Sequence, residues 1–293
     1  MANAPKPTTV KKESSTASNL FATLVIPICI VIGIALFIFV LGKPSNFTID
    51  ESIAKANSTV SLAFYNDDTA HILPKVGNYG GMAYKGGFIV PILMGMLLMV
   101  FVFSIERLIV IGKATGKGSL DAFVKKIQSL LGSGNIAAAS AECDKQEGSV
   151  ANVIKSGLKK YAEMETEQNM DTDQKCLAIQ KDIEEATSLE MPMLEQNLTI
   201  IATLVSVGTL MGLLGTVTGM IKAFGGLANS GAPDQAALAT GISEALINTA
   251  TGIGTSTIAI IMYNILTSKI DKLTYAIDEA GFSIIQTYAS THK

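Results

Sequence analysis

The chain has 293 residues, 48% hydrophobic and only 16% charged, with a net charge of −3 and a mean hydropathy of +0.40. Soluble domains carry about a quarter charged residues; here the charges are confined to stretches between long apolar runs, which excludes an ordinary water-soluble fold. Nothing in the charge suggests a nucleic-acid footprint, and Cys29, Cys143 and Cys176 follow no metal or redox spacing.

A spanning helix needs roughly 20 mostly apolar residues, and four windows qualify. Residues 1–19 form a basic tail carrying Lys6, Lys11 and Lys12, and residues 20–42 form the first span. That run is too long for the roughly 7–15 apolar residues of a signal peptide, and Lys43-Pro44 follows instead of a small-residue cleavage site, so a retained span is expected. Residues 43–86 are turn-rich, with a short amphipathic helix expected around Ile49–Ala63 and a sequon at Asn46-Phe47-Thr48. His71 stands there without a second metal ligand.

The second span, residues 87–110, stops at Glu106-Arg107 and opens a helical region over residues 111–195. Ser119 is the expected N-cap of a helix bearing Leu120, Phe123, Val124, Ile127, Leu130 and Leu131 on one face. Gly132-Ser133-Gly134-Asn135 breaks it, and further helices are expected over Ile136–Cys143, over Val150–Met164 and from Gln174 onward, with Pro192 kinking the last. Lys113–Ser119 is Gly/Lys-rich but misses the spacing of a nucleotide-binding loop. No stretch offers a catalytic constellation or a cofactor site, so no enzyme is expected.

The third and fourth spans occupy residues 196–228 and 236–268, followed by a C-terminal helix over residues 269–293. Basic residues precede the first span and follow the second and fourth, so the positive-inside rule places both termini in the cytoplasm, with Lys43, Lys75 and Lys85 as exceptions. The expected fold is all-α: a polytopic membrane protein of four transmembrane helices, with long helices extending into a cytoplasmic bundle.

Polar chemistry concentrates in the last two spans. Gly208, Gly212, Gly215 and Gly219 share one face of the third, a pattern that lets another helix approach backbone to backbone. Thr209 and Thr216 lie seven apart on a neighbouring strip. In the fourth span Glu244, Asn248, Thr251 and Thr255 form one narrow stripe, while Thr249 and Ser256 lie on another side with Gly252 between them. A helix polar on more than one side is buried in protein or lines a wet cavity. Small and hydroxylated residues also serve plain helix packing, and Glu244 has two readings: a functional carboxylate, or an interfacial acid favouring the helix N-terminus.

The strings Gly212-Leu213-Leu214-Gly215-Thr216-Val217-Thr218-Gly219-Met220-Ile221-Lys222-Ala223-Phe224 and Gly241-Ile242-Ser243-Glu244-Ala245-Leu246-Ile247-Asn248-Thr249-Ala250-Thr251-Gly252 closely resemble signatures of the MotA/TolQ/ExbB proton-channel family, most nearly its ExbB branch. The resemblance runs from about Gly86 to Leu273. It implies a pentameric ring in the bacterial inner membrane around an ExbD-like single-span partner that carries a membrane Asp, with a TonB-like protein relaying motion to outer-membrane transporters. It further implies that Thr216, Thr249 and Glu244 line the ion pathway, leaving Asn248, Thr251 and Thr255 as candidate subunit contacts. The Val207-Gly208-Thr209 lead-in and the extra first span depart from the family pattern. A TolQ-like motor of envelope constriction and a non-conducting scaffold are the competing readings.

Overall fold

The computed structural model describes residues 13–43, 46–48, 73–74, 77–229 and 235–292. The expected helix at Ile49–Ala63, along with His71 and Lys75, lies outside the described residues. The described chain is helical almost throughout, and four of its helical runs are long and apolar enough to cross a membrane. Its contacts define two compact units: Met1–Val102 with Ile200–Ile260, and Phe103–Thr199 with Ile261–Lys293.

In the first unit, α1 (Glu13–Leu36) runs on into a π-helical turn at Phe37–Leu41. Cys29, Gly33 and Phe37, four residues apart, make its buried stripe, while Leu24, Ile28, Val31 and Phe39 stay exposed. The stripe meets α3 (Ile89–Thr115). A β-carbon built on Gly33 would stand 2.6 Å from the Gly95 nitrogen and 2.7 Å from the Pro91 carbonyl, so the two backbones touch. Such close approach without side chains in the way is how helices associate where no hydrophobic effect drives them together.

The end of α1 is tied down by aromatic stacking and an asparagine pair. Phe37 stacks on Tyr84 at 4.7 Å, and Phe47 meets the same ring edge-on at 5.6 Å. Asn46 donates through Nδ2 to the carbonyls of Val40 (3.0 Å) and Leu41 (2.9 Å), and its Oδ1 accepts from Asn78 at 3.1 Å. Asn78 in turn caps the short helix α2 (Tyr79–Tyr84), accepting from the Gly81 amide at 3.0 Å. A two-residue antiparallel pairing joins β1 (Phe47–Thr48) to β2 (Leu73–Pro74).

The second unit contains α4 (Leu120–Gly132), α5 (Ile136–Gln146), α6 (Gly148–Thr166) and α7 (Thr172–Glu195). Phe123, Val124, Ile127 and Leu131 bury the apolar face of α4, and α6 buries Val150, Val153, Ile154, Leu158 and Tyr161. Gly157 admits Ile183 of α7. Tyr288 is fully buried, packs edge-on against Tyr161 at 4.8 Å, and donates its hydroxyl to the Met164 carbonyl at 2.9 Å. Ser119 holds the N-cap position of α4 but makes no side-chain capping bond. Gly116 and Gly148, both at positive φ, pack backbone against backbone across the start of α6. That packing is a structural use for the glycines of the Lys113–Ser119 loop. Pro192 sits in the last turn of α7; the chain then breaks at Asn197, whose φ is 64°, instead of bending within a continuous helix. Beside the break, buried Arg107 bonds Glu106 and donates to the Met193 carbonyl at 3.0 Å, satisfying one of the orphan carbonyls of the helix end.

Candidate functional site

The site lies in the first unit, where α8 (Leu198–Asn229) and α9 (Gln235–Thr291) run antiparallel with their backbones almost in contact. Gly208, Gly212, Gly215 and Gly219 of α8 all face α9. A β-carbon on Gly208 would meet Ser256 Oγ at 2.6 Å, one on Gly212 would meet Gly252 Cα at 3.2 Å, and one on Gly219 would meet the Gly241 carbonyl at 2.9 Å. Gly215 makes room for Asn248. Conversely, a β-carbon on Gly252 would stand 2.6 Å from the Gly208 carbonyl and 2.7 Å from Gly212 Cα. The helix that the glycine stripe admits is therefore the next one in the same chain.

Two hydroxyl rungs bridge this seam. Thr209 donates to Ser256 Oγ at 2.9 Å, and Thr216 and Thr249 share a short hydrogen bond. The rungs fall seven residues apart on both helices, about two turns, so they stand one above the other on the same flank. Thr216 also reaches the Gly212 carbonyl at 3.3 Å, and Thr249 the Ala245 carbonyl at 3.1 Å. Beside the Thr216 rung lies an open apolar groove of 530 Å³ lined by Leu213, Val217, Met220, Ile221 and Phe224. Leu213, Val217, Ile221 and Phe224 are exposed.

Glu244 belongs to the other flank. It lies five residues before Thr249, about 140° round the helix. Its carboxylate accepts from Lys222 of α8 at 2.8 Å and lies against the backbone of Gly87, in the turn that precedes α3. The carboxylate side chain is 11% exposed and the lysine 48%. Because α9 begins at Gln235, Glu244 sits nine residues inside the helix. A helix-dipole effect fades within the first turn, so Glu244 is not placed to favour the helix N-terminus. The structure thus brings Thr216 and Thr249 together and places Glu244 apart from them.

Of the remaining stripe residues, Asn248 and Thr255 are buried inside this chain, at 0% and 1% exposure. They are accordingly not surfaces for contact between subunits; only half-buried Thr251 keeps that possibility, with its hydroxyl bonded to the Ile247 carbonyl at 2.8 Å. Sequence reasoning missed Lys222 as the partner of Glu244. The signal was present: Lys222 is the first charge after the uncharged run over residues 196–221, and Glu244 the last anion before the uncharged run over residues 245–268.

Chemically, the hydroxyl pair can donate to or accept from a passing carboxyl group but cannot hold charge itself. Among the described residues, the carboxylate beside the seam, Glu244, already has a counter-ion.

Residues 145–279, which include both helices of the seam, match the MotA/TolQ/ExbB proton channel family. The match leaves out the second span, which the sequence resemblance had included. The Tol-Pal system protein TolQ of Pseudomonas aeruginosa is 29% identical over 157 residues, 54% of this chain and 68% of that protein. A putative biopolymer transport protein ExbB-like 3 of Synechocystis is 30% identical over 112 residues, 38% of this chain and 53% of that one. The biopolymer transport protein ExbB of Pseudomonas putida is 31% identical over 86 residues, 29% of this chain and 26% of that one. With the family match lying on the glycine-lined, threonine-bridged helix pair, and relatives named for both TolQ and ExbB, residues 145–279 of the chain belong to the MotA/TolQ/ExbB proton channel family.

Proposed function

We propose that the chain is an ExbB-like subunit of an inner-membrane motor driven by the proton motive force, energising TonB-dependent outer-membrane transport. The observation that carries this reading is the Thr216–Thr249 hydroxyl pair at the rim of an exposed apolar face of α8. In the proposed assembly, copies of the chain form a ring, five by family resemblance. Both termini lie in the cytoplasm, and Thr216 and Thr249 face the axis. An ExbD-like single-span partner occupies the axis and brings the Asp that this seam lacks. Hydroxyls there hydrogen-bond the Asp in either protonation state. Each elementary charge crossing 100 mV releases about 2.3 kcal/mol, so a few protons per step suffice for mechanical work passed on by a TonB-like protein.

The second reading is a TolQ-type motor of envelope constriction, with the same mechanism and a different output. It is favoured by the Pseudomonas aeruginosa TolQ match, which covers 68% of that protein. Neighbouring genes of the Tol system, as against ExbD- and TonB-like genes, separate the two.

The test is proton flux in vesicles containing the chain and its co-purified single-span partner. Thr216→Val with Thr249→Val preserves side-chain shape while removing both hydroxyls. Flux is expected to fall at least about tenfold, on the scale of losing groups placed for proton transfer, with the complex intact by native mass spectrometry. Wild-type flux in that variant would remove the pore assignment.

A further inference from the structure

We propose that Lys222, Glu244 and Gly87 form a neutral clasp that fixes the rotation of α9 and so holds the Thr216–Thr249 pair in its facing, making Glu244 a positioning residue rather than a proton carrier. The seam itself supplies closeness but limited rotational restraint, because Gly212 and Gly252 meet backbone to backbone and the side chains seated across it, Asn248 on Gly215 and Ser256 at Gly208, are small. The clasp supplies what the glycines lack. Glu244 bonds Lys222 at 2.8 Å on one side, and on the other it rests on Gly87, which has a φ of 74° and no β-carbon to displace it. Three segments therefore meet at one carboxylate. It stands about 140° round α9 from Thr249, and its ion pair spares the cost of an unpaired charge in a membrane helix.

The two partners are unequal, and the inequality makes the proposal testable. Lys222 is half exposed and its long stem can carry the ammonium toward the interface when alone, whereas Glu244 is boxed in. Losing the lysine should therefore hurt more than losing the carboxylate. A proton carrier at Glu244 predicts the reverse order. The measurements are the melting midpoint of the purified protein and proton flux with the co-purified partner. Lys222→Met is expected to lower the midpoint and cut flux at least about tenfold, because it strands a buried charge. Glu244→Gln should be milder, Lys222→Arg near wild type, and the double variant Lys222→Met with Glu244→Gln should recover to within about threefold of wild type, as coupled neighbours do.

Flux abolished by Glu244→Gln and still absent in the double variant would overturn the clasp, as would a double variant no more stable than Lys222→Met. Should Lys222→Met fail to assemble, restored assembly in the double variant supports the clasp and continued failure overturns it. The flux readout rests on the motor reading; the melting readout does not. Midpoints in the expected order with no wild-type flux would sink the motor reading and leave the clasp standing.

Discussion

Asn248 is wholly buried, and neither its amide nitrogen nor its oxygen has a hydrogen-bond partner among the described residues. An unsatisfied buried polar group costs about 1–3 kcal/mol, so Asn248→Leu, which keeps the branched shape without the polar atoms, is expected to stabilise the isolated chain by about 1 kcal/mol. A higher melting midpoint checks this; a lower one would mean that the amide is bonded in the native protein. Cys143 gives a pH-dependent counterpart in the second unit. Burial, then the charge of Asp144, push its thiol from an ordinary 9.0 up to about 12. The folded thiol then keeps its proton where the unfolded one loses it, so this group's contribution to stability falls as pH rises from 9.0 to about 12. Denaturant titrations at pH 8 and pH 10.5 should show the decline, and a maleimide at pH 8 should leave Cys143 unlabelled until the chain unfolds. At this scale much of the site was legible. Thr216, Thr249 and the glycines declare themselves by spacing and resemblance, because helical periodicity converts offsets into faces. What spacing within one helix does not reveal is the partner across the seam, which is why Lys222 and the orphaned state of Asn248 emerged only from the folded chain.

The seam helices depend on small residues for their approach. A leucine at Gly252 would drive atoms into Gly208 and Gly212, which are backbone and do not yield. Gly252→Leu is expected to destabilise the chain by about 1–3 kcal/mol or more, the range of overpacked cores, and to break both hydroxyl rungs. Melting with and without the variant measures it, and an unchanged midpoint would refute the close packing. Helix type was readable along the chain because apolar windows and amphipathic stripes persist over many turns. Helix ends were less so. The break between α7 and α8 falls on Asn197 and the entry to α6 on Glu147, both at positive φ without being glycine, so neither announces itself by composition. Ser119 carries the right residue for a cap, yet its hydroxyl does not make the bond.

On the scale of the molecule, α9 runs for 57 residues, about 85 Å at 1.5 Å per residue. Hydrocarbon accounts for only about 30 Å of that, so most of the helix must continue beyond the bilayer. The exposed apolar side chains of α1 and α8, such as Val31, Leu210 and Ile221, need lipid or protein around them. The proposed orientation is checked with single cysteines in a background with the native thiols replaced. Lys43→Cys and Lys117→Cys should react with an impermeant maleimide from opposite sides of the membrane, Lys117→Cys from the cytoplasm. Labelling of both from one side would refute it.

The spacing of the two rungs also limits how this protein can change length. Thr209 with Ser256 and Thr216 with Thr249 are each seven residues apart along their helices, in opposite chain directions. One alanine inserted between Thr209 and Thr216 would turn the second threonine away by about 100°, and a matching insertion in α9 would restore the height of the rung but not its facing. Added to both helices, a whole seven-residue repeat keeps the bridges aligned to within about 20°. Insertions and deletions should accordingly be tolerated outside this stretch and purged within it.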